Sequence, residues 1–165
     1  YESVEHRWHL YHPNGERNDA YITFLATELV PFIDENFPTV TNRNGRGLIG
    51  DSLAATVSLM TLIRHSHLFS RAMLHSPLVN DKVLAAVEAW EPTEETFIYQ
   101  VVGDRETAVK TSGDGIKDFV EPNETLHRQL QQKPIEHFYE VFEGNHSWRY
   151  WQPDVPRAIA KGFGV

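Results

Sequence analysis

Apolar residues along the chain fall into short continuous runs and into helical spacings, and the two patterns alternate. The runs predict β-strands at residues 47–50, 72–75, 96–102 and 135–142. The helical spacings predict helices from residue 18 or 19 to about 36, over 53–64 and 83–90, from Pro122 to about 130, and around Ile159. Strands alternating with helices in this way indicate parallel βαβ units and a single α/β domain over residues 1–165.

The amino-terminal region has a different pattern. Residues 1–15 are rich in aromatic residues and histidine without a helical period, so we predict a loop with a turn at Pro13-Asn14-Gly15. The helix that follows should bury one apolar face. The residues of that face are Ile22, Leu25, Leu29, and Phe32 or Ile33.

Composition and charge narrow the functional classes. The 165 residues are 41% hydrophobic and 23% charged, which is ordinary for one globular domain. A net charge of −8, from 15 Lys and Arg against 23 Asp and Glu, disfavours nucleic acid and anionic membranes as partners. The longest nearly uncharged stretch, residues 53–63, is about half of a bilayer span, so we expect no membrane segment and a cytoplasmic protein. The lack of cysteine excludes disulfides, thiol catalysis and cysteine-bound zinc.

A serine lies between a predicted buried strand and a predicted buried helix, in the segment Gly50-Asp51-Ser52-Leu53-Ala54. Small residues two positions before and after Ser52 allow a sharp turn that projects its Oγ from the carboxyl edge of the sheet. The usual pattern has glycine at both positions, and here Ala54 replaces the second. The pattern predicts a nucleophile elbow at Ser52, with a simple helix N-cap as the alternative interpretation.

A serine hydroxyl is a weak nucleophile that needs a general base, itself oriented by an acid. His146 follows the fourth predicted strand, in a loop where Gly144 frees the backbone. Two acids, Asp104 and Glu106, follow the third predicted strand, and either could orient the imidazole. The chain order of serine, acid and histidine is typical of α/β hydrolases. The predicted catalytic group is therefore Ser52 and His146 with one of these two acids.

Histidines and aromatic residues offer competing sites. His6, His9 and His12 recur every three residues and a His65-x-His67 pair follows, so an imidazole metal site is an alternative. No His-Glu-x-x-His spacing accompanies them, and we predict neither a metal nor another cofactor. Several aromatic side chains could line an acyl or aryl pocket or simply form core. They are Tyr1, Trp8, Tyr11, Trp148, Tyr150 and Trp151.

Motifs spread over nearly the whole chain resemble one branch of the α/β hydrolases. They are Gly50-Asp51-Ser52-Leu53-Ala54, residues 67–72 with Ser76-Pro77, residues 144–151, and the helix around residues 28–34. On these motifs the chain is similar to the esterase branch that includes esterase D and enterochelin esterase. The resemblance implies an α/β-hydrolase fold, with a mainly parallel sheet and helices on both faces. It also implies a serine esterase that cleaves a carboxylic ester.

The resemblance assigns roles to individual residues. By that likeness Ser52 is the nucleophile and His146 is the base. The acid position of the family falls on Glu106, with Asp104 as the runner-up. Hydrolysis would then proceed through an acyl-enzyme on the serine.

The resemblance further implies amino-terminal strands, and a loop that donates a second oxyanion-hole amide, before Tyr1. We therefore expect residues 1–165 to be the carboxyl-terminal part of a longer hydrolase, completed by a preceding segment or a homodimer. Within this chain, the Leu53 amide is the expected oxyanion donor, and Asp51 and Trp148 are expected to contact a small-molecule ester substrate. The alternative functions are a catalytically weak or inactive relative that acts as a binding or interaction domain, and acyl transfer to an acceptor other than water.

Overall fold

A parallel sheet forms the centre of the computed structural model, which describes residues 3–164. The strands are β1 (Gly47–Asp51), β2 (Arg71–His75), β3 (Phe97–Gly103), β4 (Val109–Lys110), β5 (Ile116–Lys117) and β6 (Glu136–Phe142). β1, β2, β3 and β6 lie side by side in that order and all run parallel, whereas β4 and β5 form a small antiparallel hairpin that was not predicted. Each predicted strand is present to within one residue at either end, which confirms the α/β class.

Helices cover both faces of this sheet. In the described part of the chain the α-helices are α1 (Val4–Tyr11), α2 (Asn18–Phe24), α3 (Val30–Asn36), α4 (Leu53–Arg64), α5 (Asp81–Ala89), α6 (Val120–Leu130), α7 (Trp148–Trp151) and α8 (Val155–Phe163). Successive β2 residues point to opposite faces, so Ala72 and Leu74 join a core with Leu59 of α4, while Met73 joins a second core with Ala158 of α8. A parallel sheet buried on both sides is the predicted arrangement.

The loop predicted for the amino-terminal region is wrong, because residues 4–11 form helix α1. The Oγ of Ser3 accepts a hydrogen bond from the His6 amide at 3.0 Å, and Glu5 places a negative charge in the first turn, where the helix dipole favours it. No residue of α1 is fully buried, so the helix needs no apolar stripe and leaves no period in the sequence. The predicted turn is present, with the Gly15 amide donating to the His12 carbonyl.

The helix predicted from residue 18 to 36 is continuous but contains a π-helical turn. α2 leads into this turn at Leu25–Leu29, which leads into α3. The wider turn shifts the phase of the residues after it. Ile22, before the turn, is buried, whereas Leu29 and Phe32 are 37% and 55% exposed. Of the predicted apolar face only Ile22 is fully buried, while Leu25 and Ile33 are half-buried.

β1 lies at one edge of the sheet. Among residues 3–164 it pairs only with β2, and Ile49 in its middle is 42% exposed. The opposite edge strand, β6, carries Glu136 and Glu140, whereas the first four residues of β1 are uncharged. An unpaired, uncharged edge is a template for further strand pairing.

Candidate active site

Ser52 occupies the turn between β1 and α4 with an unusual backbone conformation. Its φ of 53° and ψ of −125° lie outside the regions that non-glycine residues favour, which suits a serine projected from a sharp strand-to-helix turn. Its side chain makes no capping hydrogen bond to α4, contrary to the N-cap interpretation. A Cβ added at Gly50 would lie 2.4 Å from the carbonyl carbon of Ala54, so only glycine allows strand and helix to approach this closely.

His146 lies in the loop after β6 and faces the serine. Its Nε2 is 2.8 Å from the Ser52 Oγ, and its Nδ1 is 2.6 Å from Oε2 of Glu106. A carboxylate can only accept, so Nδ1 carries the proton and Nε2 accepts the hydrogen bond from the serine hydroxyl. The imidazole ring packs against Phe119 and meets the edge of Trp151 at a centroid distance of 4.7 Å. These contacts hold the imidazole with Nε2 towards the serine, the orientation in which it can take the serine proton.

The structure separates the two acids that follow β3. Glu106 is fully buried and contacts His146, whereas Asp104 accepts a hydrogen bond from the Gly144 amide at 2.9 Å. Because β3 and β6 are neighbours, both acids lie near the histidine loop, and Asp104 fixes the backbone of that loop instead of its imidazole. Of the two predicted acids, the one brought to the ring is Glu106.

Leu53 begins α4 directly after the serine. An amide in the first turn of a helix has no intrahelical acceptor, so this N–H is available to a ligand. Leu53 and Ser52 both line an open cleft of about 560 Å³. The position suits the predicted oxyanion donor, beside the atom that a carbonyl carbon would approach.

The predicted substrate contacts lie on the same cleft. Asp51 and Trp148 both line it, and Trp148 is 53% exposed. Arg7 lines the cleft as well, and its guanidinium donates to the Asp51 carbonyl at 3.4 Å. Of the six aromatic residues considered from the sequence, Tyr11, Trp148 and Trp151 line this cleft, Trp8 and Tyr150 line other cavities, and Tyr1 lies outside the described residues.

The histidine-rich segments do not converge on one point. His12 lies 3.4 Å from Asp114, and burial lowers the pKa of its imidazole. The rings of His65 and His67 are 5.8 Å apart. Over residues 3–164, no three His, Cys, Asp or Glu side chains cluster closely enough to hold a metal ion. The helices of the same region include none that is long and apolar enough to cross a membrane.

Sequence reasoning gave no role to Ser76, although its motif contributed to the resemblance. This residue directly follows β2 and its Oγ lies 2.7 Å from Oε1 of Glu106. The contact depends on β2 and β3 being neighbours in the sheet. The signal available in the sequence was its place at the carboxyl end of a predicted strand, where sites of such folds form.

The parallel sheet, the serine turn after β1 and the histidine and acid after later strands define an α/β-hydrolase fold. Solved structures of this fold superpose on the chain. Enterobactin esterase FES from Shigella flexneri does so with a TM-score of 0.81 at 16% identity, covering 99% of this chain and 42% of that one. The BES protein from Bacillus cereus has a TM-score of 0.70 at 23% identity, covering 98% of this chain and 63% of that one. At these identities the likeness establishes the fold.

The family follows from the sequence comparisons. The family model described as "Putative esterase" matches residues 1–161. The "Uncharacterized protein YjcH" of Bacillus subtilis (strain 168) is 43% identical over 161 residues, which are 98% of this chain and 67% of that protein. The chain belongs to this esterase family, which confirms the resemblance in its motifs.

Proposed function

We propose that the protein is a serine esterase that hydrolyses a carboxylic ester through an acyl-enzyme on Ser52. This proposal depends on two hydrogen bonds in series. One joins Ser52 Oγ to Nε2 of His146, and the other joins Nδ1 of His146 to Glu106. A serine hydroxyl becomes a useful nucleophile when a base takes its proton as it attacks. Membership of an esterase family supports the same reaction class.

Acylation begins when Ser52 Oγ attacks the ester carbonyl and its proton passes to Nε2 of His146. Glu106 keeps the ring in the required tautomer and stabilises the imidazolium that forms. The Leu53 amide donates to the developing oxyanion. Collapse of the tetrahedral intermediate breaks the bond to the alcohol oxygen, which leaves with the proton from Nε2.

Deacylation repeats the same steps with water. The neutral imidazole of His146 takes a proton from a water molecule as its oxygen attacks the acyl carbonyl. The second tetrahedral intermediate then expels Ser52, which recovers its proton. The products are the carboxylic acid and the free enzyme, and no metal or redox cofactor takes part in this sequence.

The cleft determines which esters fit. Its volume of about 560 Å³ is within the range usual for small-molecule sites. In our proposal the exposed ring of Trp148 and the polar atoms of Asp51 border the bound ester beside the nucleophile. The cleft is open, which in our proposal allows water to enter for deacylation.

A fluorophosphonate probe tests the proposal, because such probes react with activated serine hydroxyls. We expect the natural full-length protein to gain one label that peptide mass analysis locates at Ser52, and to show a burst with a nitrophenyl ester. Ser52→Ala should abolish both signals, whereas Ser66→Ala, outside the cleft, should retain them. Labelling that persists in Ser52→Ala contradicts the proposal. If the unmodified protein shows neither the label nor the burst, it would instead be a non-catalytic relative of these hydrolases that acts as a binding domain.

A further inference from the structure

We infer that Ser76 and Trp151 act as positioning residues that fix the carboxylate of Glu106 for its contact with His146. This inference rests on the proposed function, because it concerns the acid of the proposed catalytic group. Neither residue is the nucleophile, the base or the acid. Ser76 acts through Glu106, and the indole N–H of Trp151 acts through Ser76.

The carboxylate of Glu106 needs an external constraint. The terminal torsion of a glutamate side chain is soft and has no sharp rotamer preference. The Glu106 side chain is also fully buried, so water does not supply hydrogen bonds to it. Its Oε1 accepts from Ser76 Oγ at 2.7 Å and from the Gly103 amide at 2.8 Å. These two donors fix the carboxylate plane and leave Oε2 directed to His146.

Trp151 decides which way the Ser76 hydroxyl points. An indole N–H can only donate, and Nε1 of Trp151 lies 3.0 Å from the Ser76 Oγ. The serine oxygen therefore accepts from the indole, and its single proton goes to Glu106. The indole of Trp151 therefore donates to Ser76, and Ser76 donates to Glu106. Hydrogen bonds aligned in this way strengthen one another in a buried site.

The backbone of Ser76 supports a specific need for its hydroxyl. Its φ is +48°, in the left-handed region that a non-glycine residue rarely adopts. Its amide donates to the carbonyl of Val101 at 2.7 Å, which holds this conformation. Glycine would adopt the same backbone at lower steric cost but would lack the donor to Glu106. Backbone strain retained at such a position is typical of functional sites.

Trp151 contacts both the base, His146, and Ser76, which donates to the acid. The edge of its ring meets the imidazole of His146 at an interplanar angle of 88°, while its N–H holds Ser76. The side chain is almost completely buried. The ring of Trp151 therefore packs against the imidazole of His146, and its N–H orients the hydroxyl of Ser76.

The test compares Ser76→Gly with the unmodified full-length protein. We expect the rate of fluorophosphonate labelling at Ser52 and kcat for a nitrophenyl ester to fall about 10-fold to 100-fold, less than the roughly 10⁴-fold cost of disabling the acid in a related triad. The KM should change less than about twofold, because the substrate contacts remain. Since glycine relieves the left-handed backbone, the melting temperature should fall little. Trp151→Phe, which keeps an aromatic ring and removes the N–H, should lower the rate in the same direction.

A second background separates positioning from general damage. If Ser76 acts through Glu106, then Ser76→Gly should change the rate less than about twofold in a Glu106→Gln protein, because the function it supports is already lost. Ser70→Ala is the matched control, because Ser70 is equally buried at the opposite end of β2 and its Oγ donates to the Arg43 carbonyl. It should lower stability without slowing reaction at Ser52.

The outcomes distinguish a failure of the proposed function from a failure of the inference about Ser76 and Trp151. Failure of the unmodified protein to label at Ser52 contradicts the proposed function and the inference with it. Normal labelling of the unmodified protein together with unchanged rates in Ser76→Gly and Trp151→Phe overturns the inference alone. An equal loss of rate in the native and Glu106→Gln backgrounds also overturns it, because the effect would then not pass through the acid. If Ser76→Gly fails to fold, the Trp151→Phe comparison in both backgrounds decides.

Discussion

Oε2 of Glu106 lies 2.6 Å from Nδ1 of His146, although the two residues are forty positions apart in the chain. The parallel pairing of β3 with β6 creates this contact, because the loops that follow the two strands emerge at the same edge of the sheet. Asp104 is only two residues from Glu106 but is 48% exposed at its side chain and binds backbone. Which of the two acids contacts the imidazole therefore depends on how deeply each side chain is buried and on where its carboxylate points.

We expect Glu106→Gln to lower kcat by on the order of 10²–10⁴-fold with KM nearly unchanged, because the amide no longer orients or stabilises the imidazolium. Asp104→Asn is the matched control, since its amide oxygen can still accept from the Gly144 amide. It should retain most of the activity. Steady-state kinetics with a nitrophenyl ester measures both. A large loss in Asp104→Asn with little in Glu106→Gln would mean that the acid assignment is wrong.

Gly50→Ala should disrupt the serine turn, because the new Cβ would collide with backbone atoms of Ala54 and Ala55. We expect it to destabilise the protein by about 3 kcal/mol or more, the upper end of overpacking costs, and to abolish labelling of Ser52. Gly47→Ala on the same strand meets only side-chain atoms at 3.0 Å or more, so its cost should be about 1 kcal/mol. Urea unfolding measures the two costs, and equal values would contradict the role of Gly50.

The protein should become less stable as the pH is lowered, because the side chain of His137 is partly buried. Its Nε2 contacts Oε1 of Gln100, its Nδ1 is buried without a partner among the described residues, and burial lowers its pKa to about 4, with His127 adding to the shift. In the unfolded chain the pKa returns to about 6.5, so between pH 6.5 and 4 the unfolded state binds a proton that the folded state does not. The free energy of unfolding should therefore decrease by about 3 kcal/mol from this group as the pH falls through that interval.

Urea unfolding at several pH values checks this prediction. His137→Gln removes the titrating group and should flatten the dependence between pH 6.5 and 4. His67→Gln, at an exposed histidine, is the matched control and should keep the slope of the unmodified protein. An identical slope in His137→Gln would show that other groups cause the loss of stability.

The open edge of β1 leads to a prediction about assembly. We propose that a preceding segment of the natural protein pairs with this edge, because the first four residues of the strand are uncharged and Ile49 is 42% exposed there. Residues 1–165 expressed alone should therefore aggregate, and should regain solubility and esterase activity when the preceding segment is restored or added as a separate chain. A second copy paired at this edge would instead give a concentration-dependent dimer.

Two lysine substitutions test the edge directly. In residues 1–165 alone, Ile49→Lys should reduce aggregation, because a charge on an edge strand opposes pairing. Val141→Lys on β6 is equally exposed at 42% but lies on an edge that already carries glutamates, so it should change little. A monomer of residues 1–165 that melts cooperatively and has full activity without a partner would contradict the prediction. Sedimentation and a nitrophenyl ester assay give the two readouts.

Local patterns were sufficient for much of the fold. The strand that ends before Ser52 and the buried helix after it follow from residues adjacent in sequence, and the structure places both there. α1 escaped detection because a helix that buries no residue fully has no apolar period. The π turn at Leu25–Leu29 also escaped, since a shift in helical phase depends on packing and carries no residue signature of its own.

The α/β class and the family could be predicted from the sequence, because they depend on local apolar patterns and short motifs. The order of serine, acid and histidine along the chain could be read directly from it. That Glu106 and not Asp104 reaches the imidazole, and that Ser76 donates to the buried carboxylate, is visible only in the folded protein. These contacts join the ends of different strands. Their distances depend on strand order, register and burial, which no local spacing of residues specifies.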